Sequence, residues 1–185
     1  MNIGRKNLQQ CADAVIRLRA EYLYSVNRFA DIHFNFTSGD RADFSKWIKG
    51  FRPVVRGTSV SWKKKSSPDS SYDNFMKYLE TVFMYAGTAS LEKELKHVPV
   101  SEMQTGDIFI RGGHPGHAAI VVDMAENSNG EKMFLLAQSF MPAQDIHILK
   151  NPGSSTLSPW YRLDTSGKIA TPEWTFSTTE LRRFR

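Results

Sequence analysis

Thr105–Phe140 reads TGDIFIRGGHPGHAAIVVDMAENSNGEKMFLLAQSF, and three apolar runs inside it have the length and composition of strands: Asp107–Ile110, Ala118–Val122 and Met133–Ala137. Gly112, Gly113, His114, Pro115 and Gly116 join the first two, and Glu126-Asn127-Ser128-Asn129-Gly130 joins the last two, which predicts a hairpin. His117 stands at the entrance to the middle strand. Strand side chains alternate, so His117, Ala119, Val121 and Asp123 are expected on one face, with small alanines leaving room beside the imidazole. Gln138-Ser139 interrupts the neighbouring apolar strand and can come close to His117 across the hairpin. A strand histidine with a polar neighbour is half of an acid–base site. The other half would be a nucleophile, and the chain has one cysteine, Cys11.

Upstream of this unit the pattern is helical. Asn7 and Gln10 have capping-box spacing, and Leu8, Cys11, Ala12, Val15, Leu18, Tyr22 and Val26 form one apolar face. Ile32–Phe36 alternates as a strand, Asp43–Lys49 is a short helix, and Arg52–Arg56 with Ser59–Lys63 predicts a hairpin around Gly57-Thr58. Tyr72–Ala86 is the best helix, with a Phe75, Met76, Leu79, Val82, Phe83 face, and Ser90–His97 is another. Downstream, Asp145–Leu149 predicts a fourth strand, with short strands around Tyr161–Leu163 and Trp174–Phe176. Helices early and an antiparallel sheet late make an α+β fold, and 185 residues with 41% hydrophobic content make residues 1–185 one domain.

The net charge of +5 is spread out, densest at Lys63-Lys64-Lys65 and Arg182–Arg185, with no basic stripe interleaved with aromatics, so nucleic-acid binding is not expected. One cysteine excludes an internal disulfide framework and a Cys-cluster metal site. No apolar run reaches the ~20 residues of a membrane span. Met1–Gln10 lacks the apolar core of a signal peptide. The expectation is a cytoplasmic protein, or an envelope or periplasmic one if a targeting segment precedes this chain.

A thiolate is favoured at the positive end of a helix. Cys11 lies in the first turn of its helix and on the face that must pack on the sheet. Cys11 as nucleophile, His117 as base and Gln138 as the group orienting the imidazole form a consistent set, with Ser139 as the second choice for that last role. Gln9 or Gln10, together with the Cys11 N–H, is a candidate oxyanion donor, and Gly113, His114 and Gly116 form a shaped rim for substrate, outside the core.

TGDIFI followed by GHAAIV is similar to the "GD-apolar…GHxxIV" core of NlpC-type and CHAP-type cysteine peptidases and amidases, and AQS resembles the CHAP pattern EQN. LQQCADAVIRLRAEYLYS and GDIFIRGGHPGHAAIVVDMA together resemble a bacterial family, domain of unknown function 4846, over nearly the whole chain. The resemblance implies a papain-like arrangement and covalent acyl transfer without a cofactor or metal. It also implies a peptide or amide substrate, peptidoglycan among the options, and a further segment ahead of the cysteine helix. A monomer is expected. Cys11 is flanked here by Gln10, Ala12 and Asp13 rather than the Asp-Cys-Ser/Gly-Phe of NlpC enzymes. Two other readings stand beside this one: a non-catalytic binding module on the same fold, and a metal-dependent hydrolase at His114 and His117.

Overall fold

The computed structural model describes residues 8–163 and 166–185. Among them are four α-helices: α1 (Cys11–Ser25), α2 (Phe44–Ile48), α3 (Tyr72–Tyr85) and α4 (Thr88–Glu94). The first four strands are β1 (His33–Asn35), β2 (Arg41–Asp43), β3 (Phe51–Arg56) and β4 (Ser59–Lys64). After α4 come β5 (Lys96–His97), β6 (Ile108–Arg111), β7 (His117–Glu126), β8 (Lys132–Gln138) and β9 (His147–Ile148). The chain ends with β10 (Tyr161–Arg162), β11 (Lys168–Ala170), β12 (Thr175–Ser177) and β13 (Leu181–Arg183).

The fold is α+β with antiparallel sheets. The central sheet runs β10-β8-β7-β6-β13-β5, with β9 beside the end of β8, and every pair in it is antiparallel. The three apolar runs are its middle. β6 and β7 pair Ile110 with Ala118 and Arg111 with His117, so the glycine loop closes a hairpin. The expected hairpin around Gly57-Thr58 is β3–β4, with Arg56 opposite Ser59. Residues Lys96–His97, expected to end a helix, instead pair with β13 as β5.

Strand alternation gives the central sheet two buried faces. Ile108, Ile110, Ala118, Ile120 and Ala137 pack with Ala12, Val15 and Ile16 of α1. Phe109, Ala119, Val121, Phe134 and Leu136 pack on the other side with Phe176 and Leu181. Small residues at Ala12 and Ala118 let the helix and the strand approach closely. A bulge between Val121 and Asp123 breaks the alternation, so Asp123, expected to continue the His117 face, is exposed.

The segment between α1 and α4 builds a second apolar layer around Phe44, Trp47, Phe75 and Tyr78, all buried. The Tyr78 hydroxyl donates to the Ala42 carbonyl at 2.7 Å, and the Trp47 ring N–H donates to Asn74 Oδ1 at 2.9 Å. Both polar tips are thereby satisfied inside the core. This layer is continuous with the face covered by α1, so α1 is held between the sheet and the helical layer. No helix among the described residues is long and apolar enough to cross a membrane.

Candidate active site

Cys11 is the first residue of α1, with Gln10 as N-cap. The expected cap, Asn7, lies outside the described residues, and the cysteine is closer to the helix start than its spacing from Asn7 implied. Asp13, in the first turn, accepts the Gln10 backbone N–H at 2.9 Å and closes the helix start. The main-chain N–H groups of Ala118, Ala12 and Cys11 near the thiol favour its ionised form. Burial outweighs them and, helped by the charge of Asp13, pushes the thiol pKa above its ordinary value. Cys11 rests as a thiol, not as the preformed thiolate that its helix position suggested. Asp13 is itself pushed up to about 7 by burial, and its Oδ1 has no hydrogen-bond partner among the described residues.

His117 opens β7 and is 2% exposed. Its ring is 5.5 Å from Trp174 and 5.8 Å from Phe176, stacked on the latter, with the Phe140 ring edge-on at 5.4 Å. The Nε2 atom is 2.6 Å from Gln138 Oε1, and Gln138 Nε2 donates to Glu173 Oε2 at 2.8 Å. This chain has one consistent polarity. A carboxylate accepts, so the Gln138 NH₂ must face Glu173 and its carbonyl must face the histidine. An amide oxygen cannot donate, so His117 Nε2 carries the proton and Nδ1 holds the free lone pair. Burial lowers the His117 pKa, while the Gln138 hydrogen bond and the Glu173 charge partly restore it. The resting ring is therefore a neutral base.

A cavity of about 610 Å³ gathers Cys11, His117, Gln10, Asp13 and Glu173, walled by Phe140 and Trp174. Gly113, His114 and Gly116 form one rim. Cys11 and His117 reach it from different directions. α1 packs on the Ala118 and Ile120 face, whereas the His117 ring lies with Ala119 and Val121 on the other. Among the described residues no hydrogen bond links the thiol to the ring.

The remaining expected residues fall as follows. Gln138 is 1% exposed and touches the site only through His117 and Glu173. Ser139 does not line the cavity. Its hydroxyl lies 2.8 Å from the Gln9 carbonyl and 2.6 Å from the Gln144 carbonyl, joining the approach to α1 to the segment after β8. His114 is exposed at the loop tip, and among the described residues no three His, Cys, Asp or Glu side chains are grouped to hold a metal ion.

The glycine loop is more than a rim. A Cβ at Gly116 would sit 2.3 Å from Thr88 Oγ1 and 2.6 Å from the Gly113 carbonyl, so the loop is seated on the start of α4. Gly113 has φ +131°, a backbone that side chains rarely adopt. Gly116→Val would therefore disturb the seating of the loop on α4 as well as the rim of the cavity.

Glu173, Trp174, Phe140 and Asp13 were not expected in the site. Asp13 is two residues from the cysteine, and a carboxyl in the apolar first turn was the available signal. Glu173 and Trp174 come from a Pro- and Thr-rich stretch with no periodicity, and only the folded chain places them beside His117.

A family model, Domain of unknown function (4846), matches residues 1–183, and the chain belongs to that family. No curated protein and no solved structure matches it.

Proposed function

For this member of the family, we propose a cysteine acyl hydrolase, acting on a peptide or amide bond, with a papain-like division of labour between α1 and the central sheet. The observation that carries the reading is the cavity shared by a helix-N-terminal thiol and a histidine whose base nitrogen is defined by the Gln138–Glu173 chain. His117 Nδ1 takes the thiol proton as Cys11 Sγ attacks the carbonyl carbon. The oxyanion is met by the Cys11 N–H and the Gln10 side chain. The imidazolium, stabilised through Gln138 by Glu173, then gives its proton to the leaving amine. Water next adds to the thioester with His117 again as base, which releases the acid and restores the thiol.

Among the described residues thiol and ring are not hydrogen-bonded and reach the cavity from opposite faces of the sheet, so this reading requires substrate binding to close the gap between them. Cell-wall peptides are the substrate class that the resemblance to NlpC- and CHAP-type enzymes favours.

The pH profile tests this reading. With a neutral base whose pKa is lowered by burial, kcat/KM on an activated ester or peptide amide should rise along one acid limb. That limb should have its midpoint below the ordinary histidine value of 6.5. The sign follows from the active form: protonation removes the lone pair, so activity falls with falling pH. A limb centred above the ordinary thiol value of 9.0 would instead report direct thiolate chemistry without His117, and would count against the assignment.

A second reading has its own support. The raised thiol pKa and the absent Cys11–His117 hydrogen bond suit a module that binds a ligand in the cavity without turning it over. Saturable ligand binding that is unchanged by Cys11→Ala, with no hydrolysis, would favour it.

A further inference from the structure

The positive surplus of the chain is not in the cavity of Cys11. The ionisable side chains lining that cavity are Cys11, Asp13, Glu173 and two histidines. A separate cavity of about 320 Å³ is lined instead by Arg19, Arg28, Arg41, Lys93 and Arg185, together with His33, Asp31 and Glu94. We propose that this second cavity, between the later half of α1, β1 and the end of α4, is a binding site for a small ligand carrying a phosphoryl-type dianion.

The carboxylates nearby are already engaged. Asp31 pairs with Arg28 at 2.6 Å, and Arg41 pairs with Asp43 at 2.6 Å. Glu94 accepts the Asn35 backbone N–H at 2.6 Å, and burial pushes its pKa up to about 7, which leaves it only part of a negative charge near neutrality. Arg19 and Lys93 have no carboxylate partner among the described residues.

Arg19 is the informative one. Its guanidinium carbon lies 5.1 Å over the Phe184 ring, a contact that holds the side chain against one wall of the cavity. Burial and the charge of Arg28 both disfavour its charged form. Asp31, paired with Arg28, acts the other way, so the unfavourable part is chiefly burial, and a bound anion would offset it. Arg28 and Arg41 are held in ion pairs, which leaves Arg19 and Lys93 as two cations for one ligand; two positive charges suit a dianion, and forked guanidinium donors match tetrahedral oxygens.

The site is independent of the first cavity. Arg19 is eight residues along α1 from Cys11, a rise of roughly 12 Å. α4 likewise contributes Thr88 to one cavity and Lys93 to the other.

The test is calorimetric titration of the full chain with inorganic phosphate at constant ionic strength, beside co-sedimentation with phosphatidic acid vesicles. The proposal predicts saturable one-site binding, weakened at least tenfold by Arg19→Gln, a loss of about 1.4 kcal/mol. Lys93→Gln, an exposed change, should weaken it too and serves if the Arg19 variant does not fold. Phosphate binding without vesicle binding assigns a soluble ligand. Vesicle binding abolished by either substitution assigns a lipid headgroup. No saturable binding of either probe, or binding indifferent to both substitutions, overturns the site.

Discussion

His117→Gln should slow acylation of Cys11 by an activated ester by about 10²–10⁴-fold, the usual contribution of a positioned general base. Glutamine keeps a polar side chain of comparable reach but has no lone pair able to take a thiol proton near neutral pH. The effect should be large because the Cys11 thiol is held above its ordinary pKa, chiefly by burial, and so depends on a base at the moment of attack. The ring also stacks on Phe176, and its loss should cost roughly 1–2 kcal/mol of stability. Melting curves recorded beside the kinetics separate the two effects. Acylation at the wild-type rate in a folded His117→Gln protein would remove His117 from the mechanism.

Asp107→Ala should have the largest effect on stability, about 3 kcal/mol, which is a fall in Tm of roughly 6–12 °C for a chain of this size. Asp107 is fully buried and accepts Arg183 Nε at 2.6 Å and Nη2 at 2.8 Å, together with the Gln104 backbone N–H at 2.9 Å. That bidentate pair fastens β13 between β6 and β5. Alanine leaves the Arg183 guanidinium, 22% exposed, without its carboxylate and frees the Gln104 turn. Asp107→Asn keeps acceptors but no charge, and should cost about half as much. A change in Tm within the error of the measurement would mean that the pair behaves like an exposed one, whose net value is near zero.

The middle of the sheet was legible because β6, β7 and β8 are buried on both faces and carry long apolar runs bounded by turn residues. α3 was legible for a related reason, since its buried stripe repeats at helical spacing. The edges were not. β13 is Leu181-Arg182-Arg183, a basic tail by composition, and becomes a strand only because Arg183 finds Asp107 and Leu181 fills the space beside Phe109. β5 is two residues that read as the end of a helix until β13 is there to pair with them.

The site divides in the same way. Cys11, His117 and Gln138 could be chosen from residue type, a helix start and strand adjacency. Glu173 could not, because its role depends on a hydrogen bond made across 35 positions of chain. Nor could spacing show that burial raises the thiol pKa, or that Ser139 turns away from the cavity to the Gln9 and Gln144 carbonyls.

The central claim is that Cys11 forms a thioester under the control of His117. Intact-mass and peptide mass spectrometry of protein quenched during reaction with p-nitrophenyl acetate tests it most directly. The account predicts one acetyl group on the peptide holding Cys11, accumulating at least a hundredfold more slowly in His117→Gln at the same pH. No acetyl group on Cys11, or labelling at the same rate in both proteins, would contradict it.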